Sequence, residues 1–425
     1  MVAQPSVEEF RQEAAEWLRS LGLPERDDDT SAEWGSGSDT VAVFHNLSQE
    51  EERILIRRLA DWQRTKFEAG FGAITWPLEY GGRGLTPAHE DAYAAEERKY
   101  ETPAPHELVS VTVNLVAPTI RLLGTPEQRE RFIRPFLTCA ELACQLFSEP
   151  DAGSDLANVG TRAIRDGDEW VITGQKVWTS GAQFADWGEL IARTDPDVPK
   201  HKGMTAFLVP MNAEGLSVRP LRQMSGGSSF NEVFFDDVRI PDTLRLGRVG
   251  EGWKVALTTL GFERGASAQQ ARVGGDWRRA VQLARWTGAD KDPVLRQQLA
   301  DVVIAWRLGE IAAARDEQAL ADGNPPGAIG SVRKLQWVRR MTTVSEFVRS
   351  ALGPRLVVDT GEWGTFAWGE HVLGAPGYRI AGGSDEIQRT IIGERLLGLP
   401  PEPRTDRNVP WRETRAGRTG DRETV

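Results

Sequence analysis

Residues Gln145–Asp155 read QLFSEPDAGSD. Ala152, Gly153 and Ser154 are small enough for a ligand to approach the backbone closely, and Ser148 and Ser154 offer hydroxyls at two separate depths. The same residues are also good turn formers. The block stands where the chain changes character. Before it, apolar residues recur at helical spacing; after it, the period falls to two.

Upstream, Glu8 to Leu21 carries Phe10, Ala14, Leu18 and Leu21 on one helical stripe, and Leu47 to Glu68 repeats the pattern behind a Ser48 cap with acids in the first turn. Gly72 to Glu90, punctuated by Pro and Gly, reads as an ordered loop. Helices resume at Ala88–Tyr100 and Thr125–Leu137, with Pro126 in the first turn of the latter. Downstream, EWVITGQKVW (Glu169 to Trp178) reads as a hairpin turning at Thr173-Gly174-Gln175. Strands are expected at Glu189–Arg193, Met204–Val209 and Val233–Val238, with a loop at Asp195–Gly203. Longer helices follow at Trp253–Arg285, Pro293–Leu320, Val332–Leu352 and Glu386–Leu397. The order helices, sheet, helices predicts an α+β protein. Its parts are a helical domain over 1–143, a β domain over 144–245, a helical bundle over 246–400, and an Arg-, Pro- and Gly-rich tail over 401–425 expected to be mobile.

The 425 residues are 40% hydrophobic and 27% charged, with no apolar run long enough to span a bilayer. The N-terminus, MVAQPSVEEFRQEAAEWL, has early acids and no apolar core, so a secretory signal is not expected. A net charge of −11 argues against nucleic acid as the main partner. Cys139 and Cys144 read as two small thiols on a helix-to-strand passage, which makes a reducing, cytoplasmic setting the expectation. No dinucleotide fingerprint, phosphate-binding P-loop, paired-histidine metal motif or nucleophile elbow occurs. The five histidines (His45, His89, His106, His201, His371) are scattered.

Two further stretches carry chemistry. KVWTSGAQFADW (Lys176 to Trp187) ends a strand on Trp178, with Thr179, Ser180 and Gly181 behind it; an indole can lie against a planar cofactor with hydroxyls at its edge. RIAGGSDEIQR (Arg379 to Arg389) sets a glycine pair before a helix start, where backbone amides and the helix dipole favour an anion. FSEPDAGSDLA, GQKVWTSGA, GMTAFLVP, FNEVFFDDVRIP and GGSDEIQR occur in the order and at roughly the spacing of the acyl-CoA dehydrogenase family. WPLEYGGRGL and GTPEQRERFIRPF extend the likeness into the N-terminal helices. The chain resembles that family over roughly residues 5 to 400.

The resemblance implies FAD, an N-terminal helical domain, a middle β-barrel-like domain and a C-terminal four-helix bundle. It also implies a tetramer that passes electrons to an electron-transfer flavoprotein. On the cofactor side it points to Gln145, Phe147, Ser148, Trp178, Thr179 and Ser180, with Ser180 near flavin N5, and to Ser384, Asp385 and Glu386 at the helix start. On the substrate side it points to Ser154, Arg264 and Gly383.

Forming a 2-enoyl thioester requires a base for the α-proton. Many family members carry it at the position that is Gly382 here. The chain is instead similar to isovaleryl-CoA dehydrogenase-like members, whose base lies on another helix; the matching stretch is TLGFERGASA, Thr259 to Ala268, and the matching residue Glu263. Val255, Ala256, Leu257, Leu260 and Phe262 make that helix apolar around it. The Gly382 amide is left to donate to the thioester carbonyl. Two segments depart from the family. The arginine expected to reach a neighbouring subunit's FAD is matched only by Arg285, out of register, and a glycine-rich segment is replaced by DTGEWG, Asp359 to Gly364. A homotetramer, a heterotetramer with a homologous subunit, a non-catalytic partner subunit, and a flavin monooxygenase or oxidase on the same fold all remain open at this stage.

Overall fold

A computed structural model describes residues 4–26, 41, 43–44, 46–266, 277–321, 328–358, 365–403 and 406–414; within these spans the side chains at 263–266, 317, 320–321 and 365–367 lie outside the description. The N-terminal region is helical. Its elements are α1 (Val7–Ser20), α2 (Gln49–Glu68), α3 (Pro87–Glu97), α4 (Glu107–Ser110), α5 (Ala117–Leu123) and α6 (Pro126–Leu137), with a π-helical stretch, Val111–Val116, joining α4 to α5. Ser6 with Glu9, and Ser48 with Glu51, form capping boxes at the starts of α1 and α2. Each box satisfies two amides that the helix itself leaves unpaired. Phe10, Ala14 and Leu18 of the expected stripe pack with Phe71, Ile74, Leu85 and Tyr93, while Leu21, also expected on it, is exposed at the helix end.

The middle region is one sheet of eight strands: β1 (Ala143–Leu146), β2 (Arg162–Asp166), β3 (Glu169–Ser180), β4 (Trp187–Arg193), β5 (Met204–Pro210), β6 (Leu216–Leu221), β7 (Phe230–Pro241) and β8 (Arg245–Leu246). The order is β6-β7-β3-β2-β4-β5-β8, with β1 parallel to β4. The hairpin expected within EWVITGQKVW is corrected, because that stretch is a single strand. The turn lies earlier, at Gly167 (φ +66°), between β2 and β3. Gly174 (φ +152°) marks a bulge where β3 shifts register against β7, and a Cβ there would sit 2.6 Å from the Thr161 hydroxyl. The glycine serves a close approach within the sheet, not a reversal.

Among the described residues the following helices come next: α7 (Gly252–Ala266), α8 (Trp277–Thr287), α9 (Pro293–Ala321), α10 (Ile329–Leu352), α11 (Thr365–Gly374) and α12 (Asp385–Arg395). Helices α8 to α11 share a core of Ala280, Leu283, Val302, Phe347, Val348 and Trp368. Helix α7 belongs elsewhere: Val255 and Ala256 pack with Val116 and Ala117 of the N-terminal region and with Met204 and Leu208 of β5. This helix therefore lies where all three regions meet.

The expectation of a mobile tail after Pro400 is corrected for residues 406–414. Trp411 lies under the Arg193 guanidinium at 4.9 Å, and its backbone N–H donates to Val198 O at 2.9 Å. Lys200 bridges Asp155 and Asp406, each at 2.7 Å, and Arg412 pairs with Asp197. The segment thus clamps the Asp195–Gly203 loop. Trp411→Ala removes a cation–π contact and a half-buried indole, and should lower stability by about 2 kcal/mol, read in urea unfolding. A loss below a few tenths of a kcal/mol would show that the clamp contributes nothing.

Candidate active site

The end of β3 is tied to the Gln145–Asp155 bend by a buried ion pair. Lys176, fully enclosed, reaches Glu149 Oε1 at 2.7 Å and donates to Phe147 O at 3.0 Å. Burial pushes the Glu149 carboxyl up, but Lys176 and the N–H groups of Gly160 (2.6 Å) and Thr161 (2.9 Å) outweigh it and hold the group below its ordinary value. Val177 N–H donates to Ser148 O at 2.9 Å, so Ser148 lies beside the strand end that carries Trp178. Phe147 places its side chain in the core, which leaves its backbone facing the bend.

At Trp178 the backbone turns left-handed (φ +62°), a conformation few bulky residues adopt. It coincides with a second register shift of β3 against β7 and leaves the indole 59% exposed, edge-on to Phe230. Beside it, Thr179 Oγ1 and Asn231 Oδ1 are enclosed without partners. Ser180 donates to Glu107 Oε2 at 2.8 Å.

The third expected segment closes on the same place. Gly382 (φ +62°) and Gly383 (φ +84°) form a left-handed pair before α12. Their carbonyls are drawn inward, Gly382 O by Gln388 at 2.9 Å and Gly383 O by Lys334 at 2.8 Å. Ser384 caps α12 through the Ile387 N–H at 3.4 Å. Just upstream, Tyr378 stacks on Phe44, Phe44 meets Phe230 edge-on, and Phe230 meets Trp178, with successive centroids 4.8, 5.5 and 6.0 Å apart. Tyr378 also donates to Glu107 Oε1 at 3.5 Å.

Other expected residues are placed differently. Asp385 is buried and accepts from Arg379 at 3.0 Å, so its carboxylate is committed within the chain. Glu386 points outward beside Arg389. Ser154 is exposed on the bend, next to the Lys200-bound Asp155. Glu263 lies in the last turn of α7; its side chain and that of Arg264 fall outside the described residues, as does all of Asp359–Gly364. Arg285 is exposed near the end of α8. Both cysteines are buried, and burial pushes each thiol up to about 12.

Two carboxylates were not singled out by the sequence motifs. Glu107 starts α4 and reads as an ordinary first-turn acid. Glu189, in the middle of β4, is fully buried and accepts from Thr259 of α7 at 2.7 Å, while Thr259 meets Thr119 of α5 at 3.0 Å. Its register neighbour on β1 is Gln145; Glu189 Oε2 and Gln145 Nε2 are both enclosed without partners. Burial pushes the Glu189 carboxyl up to about 8, only partly opposed by the Thr259 hydroxyl. A raised folded-state value means that the contribution to stability is present below the ordinary carboxyl range and is lost as pH rises toward 8. The stability of the wild type should therefore fall between about pH 4.5 and 8, and Glu189→Gln should flatten that slope in thermal unfolding. Equal slopes for the two proteins would mean that Glu189 is ionised in the fold.

An open indole, a serine hydroxyl, two orphaned polar atoms and a glycine turn at a helix start fit a flat, hydrogen-bonding ring with an anionic tail. The residues present therefore suit a flavin dinucleotide.

These residues lie on a helical, sheet and helical scaffold. Residues 44–140, 144–238 and 250–397 match the families described as Acyl-CoA dehydrogenase, N-terminal, middle and C-terminal domain respectively. Among its relatives, acyl-CoA dehydrogenase IpdE1 of Mycolicibacterium smegmatis is 39% identical over 409 residues, which cover 93% of this chain and 98% of the relative. The human mitochondrial short-chain specific acyl-CoA dehydrogenase is 30% identical over 352 residues, 77% of this chain and 80% of the relative. In structure the chain is similar to the Tcur3481-Tcur3483 steroid ACAD, at TM-score 0.72 and 26% identity over 95% of this chain and 100% of that one. It is also similar to a chain of the ChsE4-ChsE5 complex from Mycobacterium tuberculosis, at TM-score 0.69 and 27% identity over 94% and 99%. The chain belongs to the acyl-CoA dehydrogenase family, oxidoreductases that act on the CH–CH group of acyl-CoA thioesters.

Proposed function

We propose that this protein is an FAD-dependent dehydrogenase that converts an acyl-CoA thioester to its 2-enoyl form. The convergence of Trp178, Ser180 and the Gly382-Gly383 turn, joined through Glu107 and the Phe230–Phe44–Tyr378 contacts, carries this reading. Bound FAD would take the β-hydrogen as hydride. Glu263 is the base for the α-proton: it lies one turn beyond Thr259, on the helix whose Val255 and Ala256 form part of the core between the domains. The sequence beside it on α7, Val255, Ala256, Leu257, Leu260 and Phe262, is apolar, and a base for this step needs basicity near neutral pH. The Gly382 N–H, which has no acceptor among the described residues, donates to the thioester carbonyl as enolate charge builds, a contribution of roughly 3 kcal/mol for one such donor. Glycine at 382 tolerates the left-handed backbone there and leaves room that a glutamate would fill.

The test supplies the purified protein with an acyl-CoA panel and an artificial electron acceptor, and follows the product by mass. A product lighter by two hydrogens, with the acceptor reduced, is expected. A hydroxylated or oxygen-dependent product would instead identify a monooxygenase or oxidase. An electron-transfer flavoprotein is the proposed natural acceptor.

A second reading concerns assembly. The two relatives of known structure cited above are each described by a pair of names, and helix α9 exposes Ile304, Leu308 and Ile311 at helical spacing, each more than half exposed. Three apolar side chains on one face call for a covering partner. A homologous subunit, of this or another chain, is the proposed occupant.

A further inference from the structure

We propose that Glu107 is a positioning residue of the flavin site, fixing the Ser180 hydroxyl and placing a negative charge one hydroxyl away from the ring edge. The inference rests on the flavin reading above. Glu107 belongs to the N-terminal region, yet its two oxygens take hydrogen bonds from both of the other regions: Ser180 at the end of β3 (2.8 Å) and Tyr378 on the segment leading to Gly382 (3.5 Å). Its neighbours hold it in place. His106 caps α4 through the Leu108 N–H at 3.1 Å and is itself anchored, fully enclosed, on Glu52 of α2 at 2.9 Å.

Two physical consequences follow. A serine that donates to a carboxylate has spent its one hydrogen, so only lone pairs of Ser180 remain to face a ring. A carboxylate held in a partly buried position also opposes the uptake of electrons nearby, because Coulomb energies at that range exceed thermal energy severalfold when water is limited. Glu107 therefore lowers the tendency of the flavin to take up electrons. By also holding Tyr378, it links that restraint to the seating of the 375–383 segment.

The experiment uses the full-length holoprotein and reads flavin content and the flavin midpoint potential by equilibration with a reference dye. Glu107→Gln should retain flavin and shift the dye equilibrium toward reduced flavin by roughly tenfold or more, the size expected for removing one charge at that range. Glu107→Asp, which keeps the charge, should lie close to wild type. Ser180→Ala combined with Glu107→Gln should change the potential by less than the two separate shifts added together, because the two residues act as one unit. An unchanged potential in Glu107→Gln, or strictly additive shifts, would overturn the proposal. If Glu107→Gln does not fold, the Asp and Ala variants carry the same decision: a wild-type potential in Ser180→Ala would overturn it. A wild type that neither contains nor takes up flavin would refute the flavin reading itself, a result distinct from a flavin-loaded protein whose potential ignores residue 107.

Discussion

Glu263→Gln should keep its flavin and lose roughly a thousandfold or more in the rate of substrate-driven flavin reduction. General-base catalysis is typically worth 10²–10⁴, about 3 to 5 kcal/mol of barrier, and the α-proton of a thioester is too weakly acidic for bulk water to replace the base. Glutamine has nearly the same volume, so the packing around α7 should survive and affinity for the thioester should change little. The loss belongs to the rate and not to KM, as for an interaction made only in the transition state. Anaerobic stopped-flow absorbance measures both. Retention of most of the wild-type rate would remove Glu263 from the role and leave the α-proton to another group.

The second large effect concerns the joint beneath the site. Lys176→Met should destabilise the protein by about 3–5 kcal/mol, because it leaves the enclosed Glu149 carboxylate without its cation. The same change removes the donor to Phe147 O, so the bend carrying Ser148 loses its hold on β3. Flavin retention should fall with stability. The double variant Lys176→Met/Glu149→Gln should recover a good part of the loss, since a matched neutral pair is less costly than one orphaned buried charge. Urea unfolding of the three proteins checks this, and a single variant within about 0.5 kcal/mol of wild type would show that the pair does not hold the bend.

Much of the candidate site is legible in the sequence because the residues proposed for it fall in short contiguous stretches. Ser148, Trp178 to Ser180 and the Gly382-Gly383 turn are each flanked by residues that announce a bend, a strand end or a helix start. What escaped was long-range. Glu107 meets Ser180 from 73 positions away, and Glu189 meets Thr259 from 70. Neither has a local signal, because an acid in a first helical turn, or alternating along a strand, usually faces water. Gly174 suggests a turn because it stands with Thr173 and Gln175 between two apolar-rich stretches, whereas here it admits Thr161 to close contact; the Asp-Gly pair at 166–167 is the better turn signal. The tail composition suggested a loose end, and one aromatic residue, Trp411, is what seats it against Arg193. The α1 stripe, by contrast, is legible at Phe10, Ala14 and Leu18, because burial of an apolar face follows its spacing, while Leu21 at the helix end is exposed.

The most direct test of the central claim is an anaerobic titration of the purified protein with a panel of acyl-CoA thioesters, following the visible flavin absorbance and counting flavins per chain. Bound flavin that bleaches on addition of at least one thioester, with the 2-enoyl thioester formed, is the predicted result. A chain that carries no flavin, or a bound flavin that no thioester bleaches, would contradict it.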